Sequence, residues 1–196
     1  MTSPLLIVGL GNPSPKYDGT RHNVGRQAVM ALVKETSSLW GRLTGSTPKA
    51  IRIPGFAGKA YRLSLQTKED AVAVPDLGSY MNTSGPATEK VRSYLKIPAT
   101  NVVLVHDDTD LPLSELRVSR GSSSAGHNGV QSVIDTLGTK DFTRIRIGIE
   151  TRENKQQPPT EAFVLQKFSN EEVKKIDGVF SDFTKKISEL VVEIKN

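Results

Sequence analysis

The chain has 196 residues, a net charge of +5, 36% hydrophobic residues and no cysteine. That length suits one domain with a sizeable core, and the missing thiols exclude disulfides, cysteine nucleophiles and cysteine zinc sites. Residues 1–68 carry ten Lys and Arg against Asp18 and Glu35, while the remainder carries sixteen against nineteen acids, so the basic part points to a polyanionic partner such as nucleic acid, or serves only as a solubilising surface.

In chain order, LLIVGL (5–10) is a continuous apolar run stopped by Gly-Asn-Pro, the pattern of a buried parallel strand. It is too short and lacks the basic flank of a secretory signal. Because it begins almost at Met1, little room is expected for an organelle presequence. No segment approaches the roughly 18 apolar residues of a membrane span. Val24, Ala28, Ala31, Leu32 and Leu39 recur at helical spacing. Residues 41–59 are rich in Gly, Pro and Lys and read as a connection with a short strand at AIRI.

AYRLSL (60–65) and AVAVP (71–75) are strand candidates, and TSGPATEKVRSYLKI (83–97) a helix with Thr83 and Ser84 as candidate caps. NVVLVHDD (101–108) is the best candidate for a central strand. ELRVSR (115–120) and FTRIRIGIE (142–150) alternate, so each predicts a strand with one exposed face. GHNGVQSVIDTLG (126–138) reads as a helix between glycines, and 151–161, with two prolines and no large apolar side chain, as a surface loop. Ser169 and Glu172 form a capping-box pattern ahead of an apolar stripe from Val173 to Ile194, the mark of an amphipathic helix. Strands alternating with helices give an α/β fold: a twisted, mixed, mostly parallel sheet with helices on both faces, in one domain over 1–196.

In such sheets ligands bind beyond the carboxyl ends of the strands. Asn12 follows the first strand, and Asp107 and Asp108 follow VVLV. If these strands are neighbours, the Tyr17–His22 loop and Asp107 meet on one rim, with His22 where a carboxylate reaches it. A carboxylate on one ring nitrogen fixes the tautomer and frees the other nitrogen to take a proton from water. No serine stands in a G-x-S-x-G elbow, so water is the nucleophile. Asn12, Asn23, Asn82 and Asn128 lie in Gly- or turn-rich contexts and are candidate donors to an oxyanion.

The plainer readings stand beside these. A histidine after a turn serves equally as a cap, the HDD acids as turn residues or magnesium ligands, and asparagines as turn formers. RGSSSAGHNG (120–129) reads as an anion-binding nest or as a flexible turn. GLGNPS lacks the third glycine of a dinucleotide motif. His22, His106 and His127 show no metal-ligand spacing, so no metal or cofactor is expected.

GLGNPSPKYDGTRHNVG (9–25), YMNTSG (80–85), HDDTDLP (106–112), GHNG (126–129) and RIRIGI (144–149) occur in this order. Together they closely resemble the bacterial-type peptidyl-tRNA hydrolases over most of the chain. The resemblance implies a monomeric, metal-free hydrolase that cleaves the ester between a peptide and the 3′ end of tRNA. His22 matches the family's catalytic base and Asp107 the carboxylate that orients it. Asn12 and Asn82 match residues that hold the peptide and reacting carbonyl, Asn128 one that positions substrate or water, and Tyr17 one near the terminal nucleotide. The tRNA acceptor stem and 3′ end would be read through the backbone, with Arg117, Arg120, Arg144, Arg146 and the RGSSSAG loop as candidate contacts. For Arg146 an internal ion pair is the alternative.

The chain departs from the family pattern in having Ser14 after Asn-Pro, VPDLGSYMN (74–82) with extra residues, and RGSSSA before GHNG. These features are closer to eukaryotic members. The expected location is the cytoplasm, or the mitochondrion for a eukaryotic source. The alternative function is a non-catalytic RNA-binding protein on the same fold, which has no need of a base.

Overall fold

The computed structural model describes residues 3–37, 47–66, 70–154 and 158–195. Seven strands form one mixed sheet: β1 (Leu5–Gly9), β2 (Lys49–Ile51), β3 (Lys59–Leu63), β4 (Ala71–Asp76), β5 (Val102–Pro112), β6 (Leu116–Arg120) and β7 (Thr143–Glu150). The order is β2-β3-β4-β1-β5-β7-β6. The inner four, β4-β1-β5-β7, are parallel; β3 and β6 run antiparallel to them, and edge strand β2 runs antiparallel to β3. The apolar runs that lack alternation, β1 and the first half of β5, lie side by side at the centre and are buried on both faces.

Successive residues of the central strands feed opposite cores. Leu5, Ile7, Val103 and Val105 pack with α1 (Val24–Glu35) and with the long final helix, numbered α5 below (Asn170–Lys195). Leu6, Val8, Val102 and Leu104 pack with α2 (Ser84–Tyr94) and α3 (Asn128–Leu137) on the other face. A short helix, α4 (Thr160–Phe163), precedes α5. No helix among the described residues is long and apolar enough to cross a membrane.

Three local expectations change. The strand predicted over 101–108 continues to Pro112 through a register shift, so Asp107 and Asp108 stand within β5 and not after it. FTRIRIGIE does not expose a face: β7 lies between β5 and β6, and Arg144 is 2% exposed. Neither Thr83 nor Ser84 caps α2 through a side chain, because a 3-10 turn, Met81–Thr83, leads into it. The expected box at the start of α5 forms, with the Ser169 amide donating to Glu172 (2.7 Å) and the Glu172 amide to Ser169 Oγ (3.2 Å). Leu39 and residues 41–46 of the predicted connection lie outside the described residues, as does the side chain of Ile194.

Candidate active site

β1 and β5 are neighbours, so their carboxyl ends share one rim. After β1 the chain turns and enters α1 through a 3-10 turn, Arg21–Asn23. Gly25 lets that turn sit directly on β5: a Cβ there would lie 2.1 Å from the Val105 carbonyl oxygen. The amides of Arg21 and His22 donate to the carbonyls of Gln166 (2.9 Å) and Val164 (2.8 Å), which fixes the turn from the other side. His22 is thereby aimed at Asp107.

His22 Nδ1 lies 2.9 and 3.0 Å from the two oxygens of Asp107. The next carboxylate along the strand, Asp108, pairs with Arg146 rather than with His22. Asp107 has a second partner, His127 Nε2, at 3.0 Å. His127 Nδ1 accepts the amides of Gly129 (3.1 Å) and Val130 (3.3 Å), so this side chain is the N-cap of α3. An acceptor at Nδ1 places the proton of neutral His127 on Nε2, as a donor to Asp107. The carboxylate therefore receives two N–H groups. Burial would raise its pKa, but the two imidazoles outweigh burial and hold it well below the usual carboxylate range. For His22, burial pushes downward, and the charge and hydrogen bond of Asp107 carry the imidazole above its ordinary 6.5.

The third histidine is there too. His106 meets the His127 ring edge-on at 4.8 Å, and its Nδ1 donates to the Asp107 carbonyl oxygen at 2.7 Å. Burial first, then the neighbouring His127, lowers its pKa to about 3. All three histidines of the chain thus surround one aspartate. Sequence spacing did not show it, because the contacts join positions from different elements; His127 and His106 are the residues that reading missed, although histidine is scarce in the chain and both stand in the HDDTDLP and GHNG blocks.

A cleft of about 550 Å³ opens beside this group, lined among others by His22, Asp107, His127, Asn128, Arg144 and Arg146, with residues 122–126 as one wall. The first amides of α3 are consumed by His127, so the nest reading of this loop does not hold for them. Asn12 and Tyr17 follow β1, and Asn82 lies in the turn before α2; none of the three lines that cleft. Asn12 Oδ1 accepts the Met81 amide (2.9 Å), which ties the Asn82 turn to the β1 loop and leaves Nδ2 as the donor end. Asn82 is exposed, and Tyr17 meets the exposed Tyr80 edge-on at 6.4 Å. Asn23 is no oxyanion donor in this cleft: buried at 1% exposure and outside the cleft lining, it pairs both amide atoms with the backbone of Asn12 (2.8 and 3.0 Å) as a brace.

The candidate phosphate contacts divide. Arg144 lines the cleft from a buried position and donates to the Ser123 carbonyl at 2.7 Å. Arg146 makes the internal ion pair with Asp108 and lines the cleft as well. Arg117 and Arg120 are exposed, away from its lining, and paired with Glu115 and Asp141. His22, Asp107 and His127 present atoms within 4.8 Å of one another, close enough for a metal ion. The protonation pattern works against that use, since His127 Nε2 carries a hydrogen and its other lone pair serves the helix backbone.

The family model described as "Peptidyl-tRNA hydrolase" matches residues 6–196. A peptidyl-tRNA hydrolase of Kineococcus radiotolerans is 34% identical over 98% of this chain and 93% of its own length. One from Synechocystis sp. is 41% identical over 87% of this chain and 80% of its own. The crystal structure of the Acinetobacter baumannii peptidyl-tRNA hydrolase superposes with a TM-score of 0.77 at 29% identity, covering 98% of this chain and 90% of that one. With the match running through nearly every described element, the chain belongs to the peptidyl-tRNA hydrolase family.

Proposed function

We propose that the chain, acting as one unit over 1–196, hydrolyses the ester joining a peptide to the 3′ end of tRNA, with water activated by His22. The observation that carries the reading is Asp107 held between two imidazoles. It fixes His22 as the Nδ1–H tautomer and leaves the Nε2 lone pair for a water proton. The water oxygen bonds to the ester carbonyl carbon while its proton passes to Nε2. Collapse of the tetrahedral intermediate expels the ribose 3′-oxygen, which recovers that proton from His22. Asn12 Nδ2 and Asn82 donate to the oxyanion, Asn128 positions water or substrate, and Tyr17 lies against the terminal nucleotide.

The acceptor stem runs along the basic side of the cleft, where Arg144 and Arg146 stand, with Arg117 and Arg120 farther out. The enzyme works as a monomer in the cytoplasm. The Nδ1 lone pair of His127, committed to the α3 backbone, supports metal-independent chemistry. Release of N-blocked aminoacyl groups from tRNA should proceed at an unchanged rate in excess EDTA, with tRNA folded beforehand. Loss of activity on chelation, restored by a divalent metal, would contradict that part of the reading. The intact His22–Asp107 pair gives no support to a purely RNA-binding role.

A further inference from the structure

Arg21 precedes His22, yet it lies outside the lining of the cleft. It is 5% exposed, and its guanidinium contacts the faces of Phe163 (4.5 Å) and Phe168 (5.0 Å). Nη2 reaches both carboxylate oxygens of Glu172 at 2.8 and 2.9 Å. Glu172 belongs to the first turn of α5 and is the acidic half of its capping box. Burying a guanidinium is costly unless it is paired and stacked. Here the pair joins the turn carrying His22 to the long final helix, and Phe163 is braced in turn by Arg152 at 4.2 Å.

We propose that Arg21 is a positioning residue, clamped by Glu172, Phe163 and Phe168 so that the turn behind it keeps His22 aimed at Asp107. The proposal rests on the reading of His22 as the base. The backbone bonds from Arg21 and His22 to Gln166 and Val164 set the height of the turn. The clamp sets its rotation, since residues 163 and 168 bracket the segment that accepts those bonds. Lysine keeps the charge but loses the planar fork and its stacking, so Arg21→Lys frees the turn while keeping the net charge. The titratable and charged groups that share the cleft with His22 are His106, Asp107, Asp108 and Asp110 from β5, His127 ahead of α3 with its ring at 4.9 Å, Arg144 and Arg146 from β7, and Glu161 from α4; neither substitution changes any of them.

The test follows His22 itself. With three histidines in the chain, imidazole NMR titration of wild type, Arg21→Lys and Glu172→Asp resolves it, with His22→Ala giving the assignment. Turnover of N-blocked aminoacyl-tRNA is measured alongside. In Arg21→Lys the His22 midpoint should fall toward 6.5, and kcat should drop about tenfold with KM within twofold, the signature of a misaimed group. Glu172→Asp keeps the charge, shortens the reach and should shift the midpoint the same way; it keeps the test alive if the lysine variant fails to fold. Unmoved midpoints in folded variants would overturn the proposal, whatever their stability. If His22→Ala stays active, the base assignment fails instead, and the midpoints, read without substrate, still decide whether Arg21 aims the ring.

Discussion

Asp107 accepts from His22 and His127 at once, and the pH behaviour of the site follows from that. In the proposed reaction the base is neutral His22, whose pKa is raised above 6.5 because Asp107 outweighs burial. Activity should therefore rise with pH through a midpoint above 6.5 and fall below it. The same shift makes His22 stabilise the fold most below 6.5, with that contribution lost as pH climbs through the raised value. Asp107→Asn removes the charge and leaves the burial, so the midpoint should move down while the plateau falls at least ~10². A pH profile of kcat/KM checks both parts, and an unmoved midpoint would separate Asp107 from His22. His106 has the opposite sense: buried and neutral, it costs stability as pH falls from 6.5 toward about 3.

Among the elements, local rules carried most of the sequence reading. The unbroken apolar runs of β1 and β5 announced central parallel strands, and the Ser169–Glu172 box announced the start of α5. Gly138, in the left-handed region at φ 65, ends α3 as its C-cap. Local rules failed where a partner comes from far along the chain. Alternation in β7 was read as solvent against core, but Arg144 and Arg146 face a polar cleft roofed by residues 122–126. The histidine cap of α3 was equally invisible, since His127 differs from the usual cap residues and its other nitrogen answers to Asp107. The meeting of His22 with Asp107 was legible because the turn after β1 and the end of VVLV mark the rim of an α/β sheet, whereas Asn12 stands outside the cleft lining. Asn23 looked like Asn12 and proved to brace its backbone.

Over the whole molecule, the net charge of +5 overstates the freedom of its cations. Arg117, Arg120 and Arg146 are each paired with an acid, and Arg144 is buried. A tRNA phosphate must share or displace those partners. Arg146→Ala should weaken tRNA binding and reduce the slope of log Kd against log salt by about 1, with the unpaired Asp108 adding repulsion. Filter binding over a salt series checks this, and an unchanged slope would remove Arg146 from the phosphate track. The proposed reaction depends on one side chain at the meeting of β5, α1 and the 164–166 segment. The measurement that tests it most directly is release of N-blocked aminoacyl groups from tRNA by wild type beside His22→Ala. Loss of at least ~10² in turnover, with tRNA affinity kept, is the predicted result; turnover within tenfold of wild type would contradict His22 as the base.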